Sequence, residues 1–178
     1  MTVAEKNREI FRHCPECGCV AMRPEGDKAL LCVACGFILF FNPAAAVAGL
    51  LVDEEGRLLV TVRAGEPHKG MLDLPGGFVD PGERAEEALE REVREELSLE
   101  VTSLEYLGSS FNEYLYRGVT YPTTDLAFRC TVAPGAEPST ADDVADWQWL
   151  APAEMDLNLL CSDSMREFVR RFFLGETE

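Results

Sequence analysis

The sequence predicts an α+β fold: a mixed β-sheet with a helix on each face, preceded by a small cysteine-rich module. Three observations predict it. Short apolar runs bounded by turn residues alternate with two amphipathic helical stretches, a pattern that pairs a sheet with covering helices. Five of the seven cysteines fall between residues 13 and 40. The pattern then changes at Pro43, so the chain divides into a module over 1–41 and a larger domain over 42–178.

In the larger domain, Ala44 to Val52 is a small-residue apolar run and reads as a buried strand. Asp53 to Gly56 is a turn, and Arg57 to Val62 returns as a second strand. Residues 64–84 are rich in Gly, Pro and charge and read as loop. Ala85 to Leu97 is the clearest helix. Val101 to Gly108 and Tyr114 to Thr131 read as strands, with breaks at Arg117-Gly118 and near Pro122. Ala133 to Ala141 is a loop, and Trp147 to Trp149 a short strand. The closing helix has Ser164 and Glu167 as a capping box, an apolar stripe of Phe168, Phe172 and Phe173, and Gly175 as its stop.

Net charge is −16, from 16 basic and 32 acidic side chains. A protein that grips nucleic acid through its phosphates offers a basic surface, so nucleic acid is not an expected partner. Small phosphorylated substrates meet the same repulsion unless bound divalent cations reverse the field locally. The plainer reading of the charge is solubility. With a 47% hydrophobic and 27% charged composition the chain reads as a soluble globular protein. No apolar run reaches about 18 residues, and Met1 to Ile10 lacks a signal core, so no membrane partner and a cytoplasmic location are expected.

Cys14-Pro-Glu-Cys17-Gly and Cys32-Val-Ala-Cys35-Gly are two matched knuckles. Each pair turns two sulfurs toward one cation, and the glycine that follows admits the tight turn. Four thiolates close a tetrahedral site with no open position, the arrangement of structural zinc. A redox-active pair does not explain why the motif occurs twice. The module is too small for a self-sufficient core, so the metal supplies its folding energy.

At 100° per residue, Ala85, Leu89, Val93 and Leu97 form one row of the central helix. Ala88, Glu92 and Glu96 form the neighbouring row, with Glu95 beside it. Acidic side chains therefore stand at the edge of the apolar stripe, where like charges are costly unless cations compensate. Glu92, Glu95 and Glu96 can converge on one side. A carboxylate cluster without His or Cys suits Mg2+ or Mn2+.

Gly77, Glu83, Arg91, Glu92, Val93, Glu95, Glu96 and Leu99 match the spacing G-x5-E-x7-R-E-U-x-E-E-x-G-U, where U is aliphatic. The chain thus resembles the Nudix hydrolase family, departing only at Ser98, where the family has glycine. The resemblance implies an α/β/α sandwich. It also implies that Glu92, Glu95 and Glu96 hold catalytic cations with the carbonyl of Gly76, and that Glu92 orients or deprotonates the water. Arg91 would pair with Glu83, which is either structural or an outer ligand. A zinc ribbon before such a domain is similar to the architecture of NADH pyrophosphatases. Their Ser-Gln-Pro-Trp-Pro-Phe-Pro signature is absent: the matching stretch runs from Gly108 to Tyr116 as GSSFNEYLY. NADH specificity is therefore not implied.

For substrate binding, the aromatic residues Phe111 and Tyr114, with Tyr116 and Tyr121, are candidates to stack on a base, or else to serve core or sheet surface. Asp125 is a polar residue entering an apolar strand and a candidate accessory base. Asp142 and Asp143 offer either a further acidic ligand or a capping role. The leading expectation is hydrolysis of a diphosphate linking a nucleoside to another moiety, in a dinucleotide, ADP-ribose or a nucleotide sugar; a homodimer is compatible with it. The alternatives are a Nudix-like module that senses a nucleotide without cleaving it, and a zinc-ribbon nucleic-acid protein, which the charge disfavours.

Overall fold

The computed structural model describes residues 1–140 and 144–176; Asp142 and Asp143 lie outside the described residues. The chain forms two compact units, one of Met1–Ala44 with Glu113–Thr123, the other of Ala45–Asn112 with Thr124–Glu178.

The first unit opens with helix α1 (Val3–Asn7), capped reciprocally by the Thr2 hydroxyl and the Glu5 carboxylate. Strands β1 (Met22–Pro24), β2 (Ala29–Cys32) and β3 (Ile38–Phe40) follow as an antiparallel sheet in sequence order. Its buried core is Ala4, Cys14, Met22, Leu30 and Cys32. Residues 113–123 join this unit through Asn7, which is fully buried. The Asn7 amide donates to the Thr120 carbonyl at 2.7 Å and accepts from the Thr120 N–H at 2.8 Å. Lys6 pairs with Glu113.

The second unit contains the sandwich. Strands β4 (Ala44–Leu51), β5 (Leu58–Arg63), β6 (Leu72–Asp73), β7 (Gly76–Phe78), β8 (Val101–Tyr116), β9 (Val119–Val132) and β10 (Val144–Leu150) form two sheets, ordered β10-β5-β6 and β7-β4-β9-β8. Successive side chains of a strand point to opposite faces. Accordingly Val47 and Leu51 of β4 and Leu59 of β5 pack with Leu89, Val93 and Leu97 of helix α2 (Ala85–Leu97). Ala48, Leu50, Leu58 and Val60 pack instead with Phe168 of helix α3 (Asp163–Phe168) and with Val169. Each fully buried aliphatic side chain contributes about 1.5–3 kcal/mol, so the two layers rest on comparable cores. The expected mixed α+β sandwich is the observed one.

Local details differ from the sequence expectation. The stretch 64–84 holds β6 and β7, because Leu72 and Leu74 are buried and Gly76–Phe78 pairs with Ala46–Ala48. Arg117-Gly118 is the turn between β8 and β9, but Pro122 breaks nothing and lies inside β9. A proline is tolerated where the ladder needs no donor. The N-cap of α3 is Ser162, whose hydroxyl accepts from the Met165 N–H, and not Ser164. Ser164 is fully buried and donates its hydroxyl to Asp125 at 2.5 Å. A π-type turn (Val169–Phe173) follows α3, and Gly175 ends it with φ of 72°.

Candidate active site

Helix α2 carries the acidic side chains and Arg91, and the chain before it carries Gly76, Phe78 and Glu83, which they meet. The helix ends at Ser98, which adopts the left-handed conformation (φ 55°, ψ 30°) and donates its N–H to the Arg94 carbonyl. This is the position where glycine would sit without strain.

Arg91 is the hub. Its guanidinium grips both oxygens of Glu83 at 2.9 and 3.1 Å and reaches Glu92 at 2.8 Å, Glu95 at 3.1 Å and the Phe78 carbonyl at 3.1 Å. These partners raise its already high pKa, Glu83 above all, so it stays charged. In return, the Arg91 hydrogen bonds and the Asp80 N–H hold the Glu83 carboxyl below the usual range. The loop from Phe78 to Glu83 is thereby fastened to the helix by a bidentate, charge-assisted pair.

Glu96 differs. It is half-buried and accepts a hydrogen bond from the Gly76 N–H at 3.1 Å. Burial pushes its carboxyl up to about 8, the Gly76 bond opposes that, and repulsion from Glu92 and Asp73 adds to it. The ionised form of Glu96 is thus disfavoured first by burial and then by its acidic neighbours, and an oxygen-preferring divalent ion would relieve both. The donor set fits Mg2+ or Mn2+. The carboxylates are not drawn into a single knot, however. Glu92 and Glu95 turn to Arg91, and Glu96 turns to Gly76.

Two glycines make this approach possible. A Cβ on Gly76 would lie 2.1 Å from the Val47 carbonyl oxygen, and one on Gly77 would lie 2.4 Å from Oε1 of Glu92. The first clash is with backbone and the second with the end of a flexible side chain. Gly76→Ala is therefore expected to cost about 3 kcal/mol or more in urea unfolding. Gly77→Ala should melt within a few degrees of wild type yet lose activity, because Glu92 is displaced. An unchanged unfolding midpoint for Gly76→Ala would contradict the β4–β7 pairing.

The four knuckle cysteines form a second site, in the first unit. Among the described residues they are the group of potential ligands whose atoms all lie within 4.8 Å of one another. Sγ–Sγ distances are 3.7 Å for Cys14–Cys35 and for Cys17–Cys32. Against burial, which raises it, hydrogen bonds from the backbone of Cys35 and Ala34 hold the Cys32 thiol down at about 7. Gly18 and Gly36 turn with φ of 75° and 83°, as the knuckles require. The geometry is that of a closed four-thiolate metal site.

The substrate candidates are spread out. Phe111 is 82% exposed on β8. Tyr114 belongs to the first unit and stacks on Tyr116, with ring centroids 6.2 Å apart. Asp125 faces inward at 2% exposure, and its bond to Ser164 seats α3 on β9. One feature escaped sequence reasoning: the ion pair of Arg63 with Asp73, at 2.8 Å. Its only sequence signal is a charge at each end of an apolar hairpin.

The NUDIX domain profile matches residues 42–172. The chain is similar to the NAD-capped RNA hydrolase NudC of Pseudomonas fluorescens, 29% identical over 79% of this chain and 48% of that protein. It is also similar to an ADP-ribose pyrophosphatase of Methanocaldococcus jannaschii, 44% identical over 34% of this chain and 36% of that protein. The chain spans about half the length of the NudC relatives it matches. In fold it resembles a NUDIX hydrolase from Nitrosomonas europaea, with TM-score 0.62 and 20% identity over 92% of this chain and 91% of that one. A MutT protein from Methanosarcina mazei gives TM-score 0.62 and 21% identity over 79% of this chain and 100% of that one.

Proposed function

We propose, on the premise that this chain belongs to the NUDIX family, that it is a divalent-metal-dependent hydrolase of nucleoside diphosphates linked to a second moiety. Dinucleotides, ADP-ribose and nucleotide sugars are the substrate class. The observation that carries this reading is Glu96: a half-buried carboxyl pushed up to about 8 by burial and then by repulsion from Glu92 and Asp73, on a helix whose Arg91 is already engaged by three other carboxylates. NAD and ADP-ribose, named for the relatives, both contain an adenosine diphosphate joined to a further group, which supports the class.

Glu92, Glu95 and Glu96, with the Gly76 carbonyl, would hold Mg2+ or Mn2+. When bound, the metal neutralises charge on the diphosphate oxygens and favours attack by water. Glu92 orients or deprotonates that water. Arg91 keeps Glu92 and Glu95 in place and, through Glu83, pins the preceding loop. Water adds to one phosphorus, the bridging P–O bond breaks, and two phosphate-terminated products leave. Phe111, exposed on β8, is the ring assigned to base stacking. The cysteine quartet holds structural zinc, and its need for reduced thiols supports a cytoplasmic setting. No helix among the described residues is long and apolar enough to cross a membrane. Capped RNA is disfavoured as substrate by the net charge of −16.

The test is phosphate release, coupled through a phosphatase, with Mg2+ and Mn2+ against NADH, ADP-ribose, nucleotide sugars, dinucleoside polyphosphates, nucleoside triphosphates and an NAD-capped oligonucleotide. Turnover of a small diphosphate-linked nucleotide, lost on chelation, is expected. Silence across the panel from folded, zinc-loaded protein would reject the reading in favour of a nucleotide-sensing module.

A further inference from the structure

The four knuckle cysteines are not equivalent. Cys14 and Cys32 are buried, at 2% and 0% exposure, whereas Cys17 and Cys35 are exposed. Two sulfur–sulfur contacts of 3.7 Å run between the knuckles, Cys14 to Cys35 and Cys17 to Cys32. Each joins a buried sulfur to an exposed one. The backbone repeats the same turn in both knuckles. The Gly18 N–H donates to the Cys14 carbonyl at 2.9 Å, and the Gly36 N–H donates to the Cys32 carbonyl at 2.8 Å. One turn geometry used twice thus sets the first cysteine of each knuckle inward and the second outward. Cys19, also exposed, is not one of the four sulfurs that gather.

We infer that the quartet is a thiol switch as well as a zinc site: a hydroperoxide converts it to two disulfides across the knuckles, Cys14–Cys35 and Cys17–Cys32, and the ion is lost. The exposed thiolate, Cys17 or Cys35, attacks the peroxide. An S–O bond forms, the O–O bond breaks, and hydroxide or alkoxide leaves, so that sulfur becomes a sulfenic acid. The buried thiolate in contact with it, Cys32 or Cys14, then attacks the oxidised sulfur. An S–S bond forms, the S–O bond breaks and hydroxide leaves. Each sulfur pair gives up two electrons, and one hydroperoxide takes them. A disulfide spans about 2.05 Å, so each pair has less than 2 Å to close from its contact at 3.7 Å. With all four sulfurs bonded, no thiolate remains to hold a cation. The direction of pairing matters to the fold. The bonded cysteines lie 21 and 15 residues apart, so the disulfides tie one knuckle to the other, as a shared ion does. Bonds within each CxxC would join residues three apart and leave the knuckles untied. The inference rests on the quartet being the zinc site.

The test treats the intact, zinc-loaded protein with hydrogen peroxide, reads zinc release with a chromogenic chelator and maps disulfides by fragmentation mass spectrometry. Zinc release is expected in step with the loss of four thiols, at about two equivalents of peroxide. After trypsin, peptides 13–28 and 29–57 should stay joined, through Cys14–Cys35 and Cys17–Cys32. A sulfenic-acid trap present during the reaction should mark Cys17 or Cys35 and spare Cys14 and Cys32. Thiol reductant with added zinc should restore the starting state. Cys19→Ser should give the same pairing, and because it leaves the quartet whole the test holds even if quartet variants fail to fold. Disulfides within the CxxC pairs, a disulfide to Cys19, or zinc and thiols both retained in excess peroxide would overturn the proposal. Folded protein that takes up no zinc would overturn the zinc site itself, and this inference with it.

Discussion

Glu96→Gln is expected to lower turnover by about a hundredfold or more while leaving the protein folded and, without divalent metal, more stable than wild type at alkaline pH. The two effects have one origin. The amide keeps an oxygen to accept the Gly76 N–H, so the hydrogen bond at 3.1 Å survives. What it removes is a negative charge that burial, Glu92 and Asp73 all disfavour. On the proposed function that charge is one the divalent ion needs, so losing it would loosen the ion and relieve the metal-free fold together.

The pH dependence follows from the same group. Glu96 titrates near 8 in the fold against an ordinary 4.5. Between these values the folded protein keeps a proton that the unfolded chain has released, so stability falls as pH rises across the window. Below about 4.5 both states are protonated and the group contributes nothing; above about 8 the full cost of the buried charge is present. Thermal melts of zinc-loaded protein without added Mg2+ or Mn2+ should therefore show Glu96→Gln gaining on wild type from pH 5 to 9. The proton also competes with the cation, so at limiting Mg2+ activity should climb from pH 6 to 8. Substantial turnover in the variant would remove Glu96 from the cation site. A stability gap independent of pH would show that its carboxyl is not strained.

Much of this site is local in sequence and was legible there. Helix α2 runs from Ala85 to Leu97 as its periodicity requires, and it brings Glu92 and Glu95 onto Arg91 while Glu96 meets the Gly76 N–H. The Glu83–Arg91 pair spans eight residues, close enough for the motif alone to imply it. The parts that escaped depend on distant partners. Ser162 and Ser164 are equally good caps by type; only the buried Asp125, far back in the chain, takes Ser164 out of that role. Nothing near Asn7 announces that its amide will hold Thr120. Strands β6 and β7 are too short for periodicity to register and are masked by Gly and Pro. Arg63 and Asp73 each look like an ordinary strand-end charge until register brings them together.

Stripping the metal from the cysteine quartet is expected to unfold the first unit, residues 113–123 included. The magnitudes decide this. Only Met22 and Leu30 are large apolar side chains in its buried core, and at about 1.5–3 kcal/mol each they supply a few kcal/mol. Ordering the backbone costs roughly 1–2 kcal/mol for each residue, far more in sum across Met1–Ala44. Half-buried Phe11, Phe37, Leu39 and Phe41 narrow the gap without closing it. Zinc bound by four thiolates contributes on the order of 10–16 kcal/mol in small peptides, which is the scale needed. Without it, Cys14 and Cys32 are left buried with their sulfurs 3.7 Å from those of Cys35 and Cys17. Chelated protein should show a lowered melting transition and fast amide exchange in residues 14–41. Exchange should also quicken at Thr120, whose N–H is bonded to Asn7 of the same unit. The amides of α2, held in a separate core by Leu89, Val93 and Leu97, should stay protected. Cys32→Ser should reproduce the pattern with the metal in excess. Zinc-free protein with an unchanged melting point would show that the unit folds by its apolar contacts alone, and the quartet would then lose its structural role.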